Sequence, residues 1–201
     1  MGVKVAVFGA TGAVGKEMLT ILAERLFPAD AVYALATRKS MGVELSYGDT
    51  TLKCQNVETF DFSKVDLVLM SAGGEPSKEW APKIAKAGAI VVDNSSAWRM
   101  DPDVPLVVPE VNPDALDGVK KKGIVANPNC STIQLVVALK PIHDRVGIKR
   151  VSCATYQSVS GGGQAAMDEL GLQTKEVLEG KECTKNIWDF QYAFTGRRVF
   201  D

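Results

Sequence analysis

Short apolar runs alternate with stretches of helical spacing through the first half of the chain. Val3 to Phe8, Ala31 to Ala36, Val65 to Met70, Ala89 to Val92 and Ile124 to Ala126 are almost continuously apolar. Runs of that kind, rather than strict alternation, mark strands of a parallel sheet buried on both faces. Between the first two, Val14, Met18, Ile21 and Leu22 predict the inner stripe of a helix. A second helix is predicted after Pro76, from Ser77 to Ala87. Strand, helix and strand in repetition predict an α/β fold, a Rossmann-type doubly wound parallel sheet.

The pattern changes near Asn127. Pro128-Asn129 is a turn signal, and Ser131 to Ile142 then reads as a helix with Ile133, Val136, Val137 and Leu139 mostly inward, closed by Pro141 and Gly147. Lys149 to Val159 alternates, as a strand of a mixed or antiparallel sheet does, with Val151, Cys153, Thr155 and Gln157 on one face. A loop at Gly161-Gly162-Gly163 leads into a helix predicted from Gln164 to Glu179. Trp188, Phe190, Tyr192, Phe194 and Phe200 crowd the last stretch in strand-like spacing, with nothing after them to cover the aromatic face. The expected organisation is a cofactor-binding domain at 1–127, then at 128–201 the incomplete start of an α+β substrate and dimerisation domain.

Composition narrows the class. The 201 residues are 46% hydrophobic and 23% charged, as in ordinary globular proteins, and a net charge of −1 offers nucleic acid or an anionic membrane no electrostatic footing. No apolar run approaches the ~20 residues that span a bilayer. No leader-like segment precedes the first strand, and four scattered cysteines form neither a disulfide framework nor a metal motif, so the expected location is the cytoplasm and no metal is expected.

Two segments carry chemistry. Gly9-Ala10-Thr11-Gly12-Ala13-Val14-Gly15 is a G-x-x-G-x-x-G loop between a strand and a helix. There glycines permit a tight turn, and the helix N-terminus offers N–H groups to a pyrophosphate. After the second strand, where NAD-binding sites usually place an acid, stand Thr37, Arg38, Lys39 and Ser40. Two cations and a hydroxyl suit a 2′-phosphate, so NADP is the expected cofactor. The second segment, Asn127-Pro128-Asn129-Cys130-Ser131-Thr132, sets a thiol at the start of a helix, a position that favours the nucleophilic thiolate. Cys54, Cys153 and Cys183 read as small core residues. His143 reads as a capping or packing residue at a helix end.

The loop at 9–15, Asn94-Ser95-Ser96-Ala97-Trp98-Arg99, the sequence at 127–132 and Tyr156-Gln157-Ser158-Val159-Ser160-Gly161 occur in the order in which the aspartate-semialdehyde dehydrogenase family has them. The resemblance runs from Val3 to about Glu179. It implies NADP-dependent reductive dephosphorylation of L-aspartyl 4-phosphate to L-aspartate 4-semialdehyde through an acyl-thioester on Cys130. It also implies that Asn129 lies beside that cysteine, that Gln157 orients substrate and that Arg99 holds phosphate. Thr11, Gly12, Ala13, Val14, Lys39, Ser40, Ser160 and Gly161 correspond to cofactor contacts. On spacing alone, Gln157 reads equally as a strand-end surface residue and Arg99 as a turn residue before Asp101-Pro102. The family's general acid/base histidine belongs to later sequence, and members work as oligomers, with a homodimer favoured. The alternatives are a reductase of N-acetyl-glutamyl-phosphate type and a non-catalytic NADP-binding relative.

Overall fold

A computed structural model describes residues 2–187 and 193, in two compact units, 1–149 and 150–201. The aromatic pattern at 188–200 lies outside the described residues.

In the first unit, β1 (Val3–Phe8), β2 (Ala29–Ala36), β5 (Gln55–Asn56), β6 (Leu67–Met70), β7 (Ile90–Asp93) and β8 (Ile124–Ala126) form one parallel sheet in the order β5-β2-β1-β6-β7-β8. The five strands expected from the apolar runs are all present. A short antiparallel hairpin, β3 (Glu44–Tyr47) with β4 (Thr50–Lys53), was not legible as such, because its polar residues alternate with few apolar ones.

Alternation along β1 assigns the two faces. Val5 and Val7 point into a cluster with Leu19 and Leu22 of α1 (Ala13–Glu24) and with Leu45 of the hairpin. Ala6 and Phe8 point into a second cluster with Ala81 and Ile84 of α2 (Gly74–Lys86). Each fully buried valine, leucine, isoleucine or phenylalanine among them contributes roughly 1.5–3 kcal/mol. Of the residues expected on the inner face of α1, Leu22 is buried and Met18 packs half-buried against the same cluster, whereas Val14 and Ile21 are 40% exposed and Gly15 and Leu19 are buried in their place. The cause is Gly15: its bare Cα lets the helix approach the strand end, and that close approach fixes the rotation of the helix.

Helix α3 (Cys130–Val146) runs past Pro141 and stops at Gly147, whose φ of +66° suits glycine. Proline removes one intrahelical bond, which the helix tolerates; the left-handed glycine is what ends it. His143 does cap this end: its carbonyl accepts from Gly147 N and its Nδ1 from Ile148 N. No residue of α3 is buried, and Val137 is 36% exposed.

Residues 149–158 form no strand. A strand needs a neighbour to accept its ladder bonds, and among the described residues none lies alongside. Cys153 is accordingly exposed rather than packed, whereas Cys54 is buried and Cys183 half-buried. A 3-10 turn at Val159–Gly162 leads into α4 (Gln164–Leu178). Its buried Glu169 accepts from the amides of Asn186 and Ile187. Among the described residues no helix is long and apolar enough to cross a membrane.

Candidate cofactor and nucleophile site

Strand order reverses about β1: β2 pairs on one side and β6 on the other. In such sheets ligands bind outside the carboxyl ends of the strands at the reversal point. Gly9 stands at that end of β1 with φ of +86°, and its N–H donates to Leu35 O at 2.9 Å. A Cβ at Gly9 would lie 2.3 Å from Ser71 O, just beyond β6, and one at Gly15 2.1 Å from Gly9 O. The turn is therefore open only to glycine at these two positions. Gly12 is the N-cap of α1, makes no side-chain cap and precedes a first turn without acidic residues. The first N–H groups of Ala13, Val14 and Gly15 are thus left to a ligand, and the local potential favours an anion.

Arg38, Lys39 and Ser40 form a 3-10 turn directly after β2. Thr11 Oγ1 donates to Ser40 Oγ at 3.3 Å, so the phosphate loop and the basic turn meet. Arg38 and Lys39 are exposed, and neither has an ion pair with another described residue. A groove of about 620 Å³ opens at the same end of the sheet, floored by Phe8, Val57 and Trp80 and edged by Thr37, Glu75 and Pro76. Its lining mixes these apolar side chains with the carboxylates of Glu58, Glu75 and Glu79. Sequence reading did not find it, because its walls come from four separate segments. Together the glycine cradle, uncapped helix and basic turn fit a phosphorylated dinucleotide.

The second part of the site is built on the ends of β7 and β8. Asn94 follows β7 and Asn127 follows β8, and Asn127 Nδ2 donates to Asn94 Oδ1 at 2.8 Å. Half-buried Arg99 donates from Nε to Asn127 O at 2.9 Å and from Nη2 to Asn94 O at 3.2 Å, which leaves Nη1 without a partner among the described residues. Among the described residues no carboxylate pairs with this guanidinium, which leaves it available to an anion. Asn129 caps α3: its Oδ1 accepts from Ser131 N at 3.0 Å, Ser131 Oγ at 2.8 Å and the exposed Cys130 thiol at 3.7 Å. Gln157, Ser160 and Gly161 lie in the second unit. Gln157 is half-buried in the irregular stretch, and Ser160 is tied to Ser158 by hydroxyl and amide bonds. Among the described residues no group of three or more histidine, cysteine or acidic side chains could hold a metal.

The profile described as "Semialdehyde dehydrogenase, NAD binding domain" matches residues 4–119, more than half of the chain. The chain belongs to the semialdehyde dehydrogenase family. That family's dimerisation-domain profile matches residues 139–195. The aspartate-semialdehyde dehydrogenase of Aquifex aeolicus is 58% identical over 187 residues, covering 92% of this chain and 55% of that protein. A crystal structure of aspartate semialdehyde dehydrogenase II from Vibrio cholerae, complexed with ASA, superposes with a TM-score of 0.90 at 52% identity, over 97% of this chain and 58% of that one. The enzyme from Candida albicans, solved with NADP, gives 0.59 at 29% identity over 73% and 48%. The chain thus spans about half the length of the curated relatives it matches. Family membership accounts for the whole fold: a Rossmann-type sheet followed by a region that matches the dimerisation domain.

Proposed function

We propose that this chain binds NADP and carries the cysteine step in the reductive dephosphorylation of L-aspartyl 4-phosphate to L-aspartate 4-semialdehyde, a reaction of lysine, threonine and methionine biosynthesis. The observation that carries the reading is the bond from Arg99 Nε to Asn127 O. It ties the phosphate-binding candidate to the turn that ends at Cys130. In this reading Cys130 Sγ attacks the acyl carbon, the carbon–oxygen bond to phosphate breaks, and the departing phosphate is received by the open edge of the Arg99 guanidinium. Asn129 holds the thiol at the helix N-terminus, where backbone N–H groups favour negative charge. Gln157 orients the substrate. Bound NADPH supplies the hydride that releases the acyl group as aldehyde.

Gly9, Thr11, Gly12, Ala13 and Val14 would receive the pyrophosphate, Arg38, Lys39 and Ser40 the 2′-phosphate, and Ser160 and Gly161 further cofactor contacts. The functional division falls at residue 127, with the cofactor domain before it and the catalytic region after. The match to a dimerisation domain supports self-association, and a homodimer in the cytoplasm is the assembly proposed.

Mixing the chain with aspartyl phosphate is expected to leave an acyl adduct on the Cys130 peptide in mass spectrometry, absent from Cys130→Ala. Supplied instead with aspartate semialdehyde, NADP and phosphate, the chain is expected to form NADPH, and the same substitution to abolish it. An adduct without NADPH formation would confine this chain to the acyl-transfer half. An unlabelled Cys130 together with failure to bind NADP would overturn the reading. N-acetyl-glutamyl semialdehyde accepted in place of aspartate semialdehyde would point to the related reductase.

A further inference from the structure

We infer that Asp93 is a positioning residue for the anion site, holding the turn at 94–99 in the shape that aims Arg99. Asp93 is the last residue of β7 and is fully buried. Its Oδ2 accepts from Ser95 Oγ at 2.6 Å, and Ser95 Oγ in turn accepts from Ala97 N at 3.1 Å. Its backbone carbonyl accepts from Asn127 N at 3.2 Å. The two carbonyls that grip the Arg99 guanidinium belong to Asn94 and Asn127. One is the direct neighbour of Asp93 and the other is hydrogen-bonded to it.

Packing does not account for an acid here. Val91, on the same strand, lies in an all-apolar cluster, and Asp93 Oδ1 is buried without a hydrogen-bond partner among the described residues. Leaving a buried carboxylate oxygen unmatched is costly, and an aliphatic residue would fill a strand end without that cost. What the carboxylate supplies and an aliphatic residue cannot is the acceptor for Ser95, hence the fold of the turn between β7 and Arg99. Asp93 touches neither ligand in this scheme; it acts through the backbone that holds Arg99. The inference rests on Arg99 as the phosphate-binding residue proposed above.

The test follows the Arg99 Nε–H proton by NMR, as its exchange with solvent, alongside titration with inorganic phosphate and with NADP. In Asp93→Ala, exchange at Arg99 Nε should quicken and phosphate affinity fall roughly tenfold, the scale of one charge-assisted hydrogen bond. NADP affinity should stay within about twofold, since the phosphate loop is untouched. Asp93→Asn keeps an oxygen acceptor for Ser95 and should restore both readouts; an equal loss in Asp93→Asn would assign the effect to charge and overturn the positioning role. Unchanged Arg99 Nε–H exchange in Asp93→Ala would overturn it too. If that variant does not fold, Ser95→Ala makes the same cut outside the strand, and an unaltered Arg99 proton there is equally fatal. Quickened exchange in a protein that binds no phosphate even as wild type would sink the phosphate role of Arg99 while the positioning by Asp93 stands.

Discussion

Gly15 and Gly74 stand at the first turns of two helices and place opposite demands on a side chain. A Cβ at Gly15 would sit 2.1 Å from Gly9 O, whereas one at Gly74 meets nothing within 4 Å. Gly15→Ala should therefore push α1 off the strand end, destabilising the fold by about 1–3 kcal/mol as overpacked sites do and abolishing NADP binding. Gly74→Ala should stabilise by about 0.4–1 kcal/mol through the unfolded chain, with binding intact. Urea denaturation with NADP titration separates the two. Asp101 offers a residue-scale pH reading. Its bond from Lys122 Nζ at 2.6 Å, then the Asp103 amide, hold its carboxyl below the ordinary carboxylate value. A lowered folded value means a contribution present above the ordinary carboxylate range and lost as pH falls through the lowered one. Lys122→Ala should raise the Asp101 midpoint toward the ordinary value in an NMR titration.

At the scale of elements, the proposed selection of cofactor by the turn after β2 can be tested directly. Arg38 and Lys39 are exposed cations with no acidic partner among the described residues, so removing them should lower NADP affinity and leave NAD affinity nearly unchanged. Arg38→Ala with Lys39→Ala is expected to cost roughly tenfold or more in NADP binding, by loss of charge-assisted phosphate contacts. Equal losses for both dinucleotides, in fluorescence titrations, would remove the turn from cofactor choice. The same scale shows what the sequence could and could not convey. The five buried strands were legible because covered parallel strands are apolar throughout, and the loop at 9–15 because glycine there answers to backbone contact. Met18 and Leu22 of α1 were placed inward as found, but Val14 and Ile21 were not, since hydrophobic spacing does not record that Gly15 is the contact point. The stretch at 149–159 alternates like a strand yet forms none, because alternation reports a side-chain pattern and not the presence of a pairing partner. Asp93, Asn94 and Asn127 were invisible as a unit, since the bonds that join them link strand ends more than 30 residues apart in sequence.

For the whole molecule, the two clusters on the faces of the sheet meet at β1, the strand that leads into the loop at 9–15, whose Val5, Ala6, Val7 and Phe8 are all buried. Helix α3 is its opposite, a 17-residue element with no buried residue, fastened at one end by the Asn129 cap and at the other by Gly147 and His143. The proposed nucleophile is the first residue of that helix. Its working lifetime is then a kinetic quantity: the thiol keeps its place only while the helix stays wound. Amide protons of α3 should exchange through local opening far sooner than those of β1 and β6. Asn129→Ala should shorten their protection further, by a factor matching the ~1 kcal/mol of a lost cap. A protection map with α3 as slow as β1 would mean the winding of this helix does not limit the thiol at all.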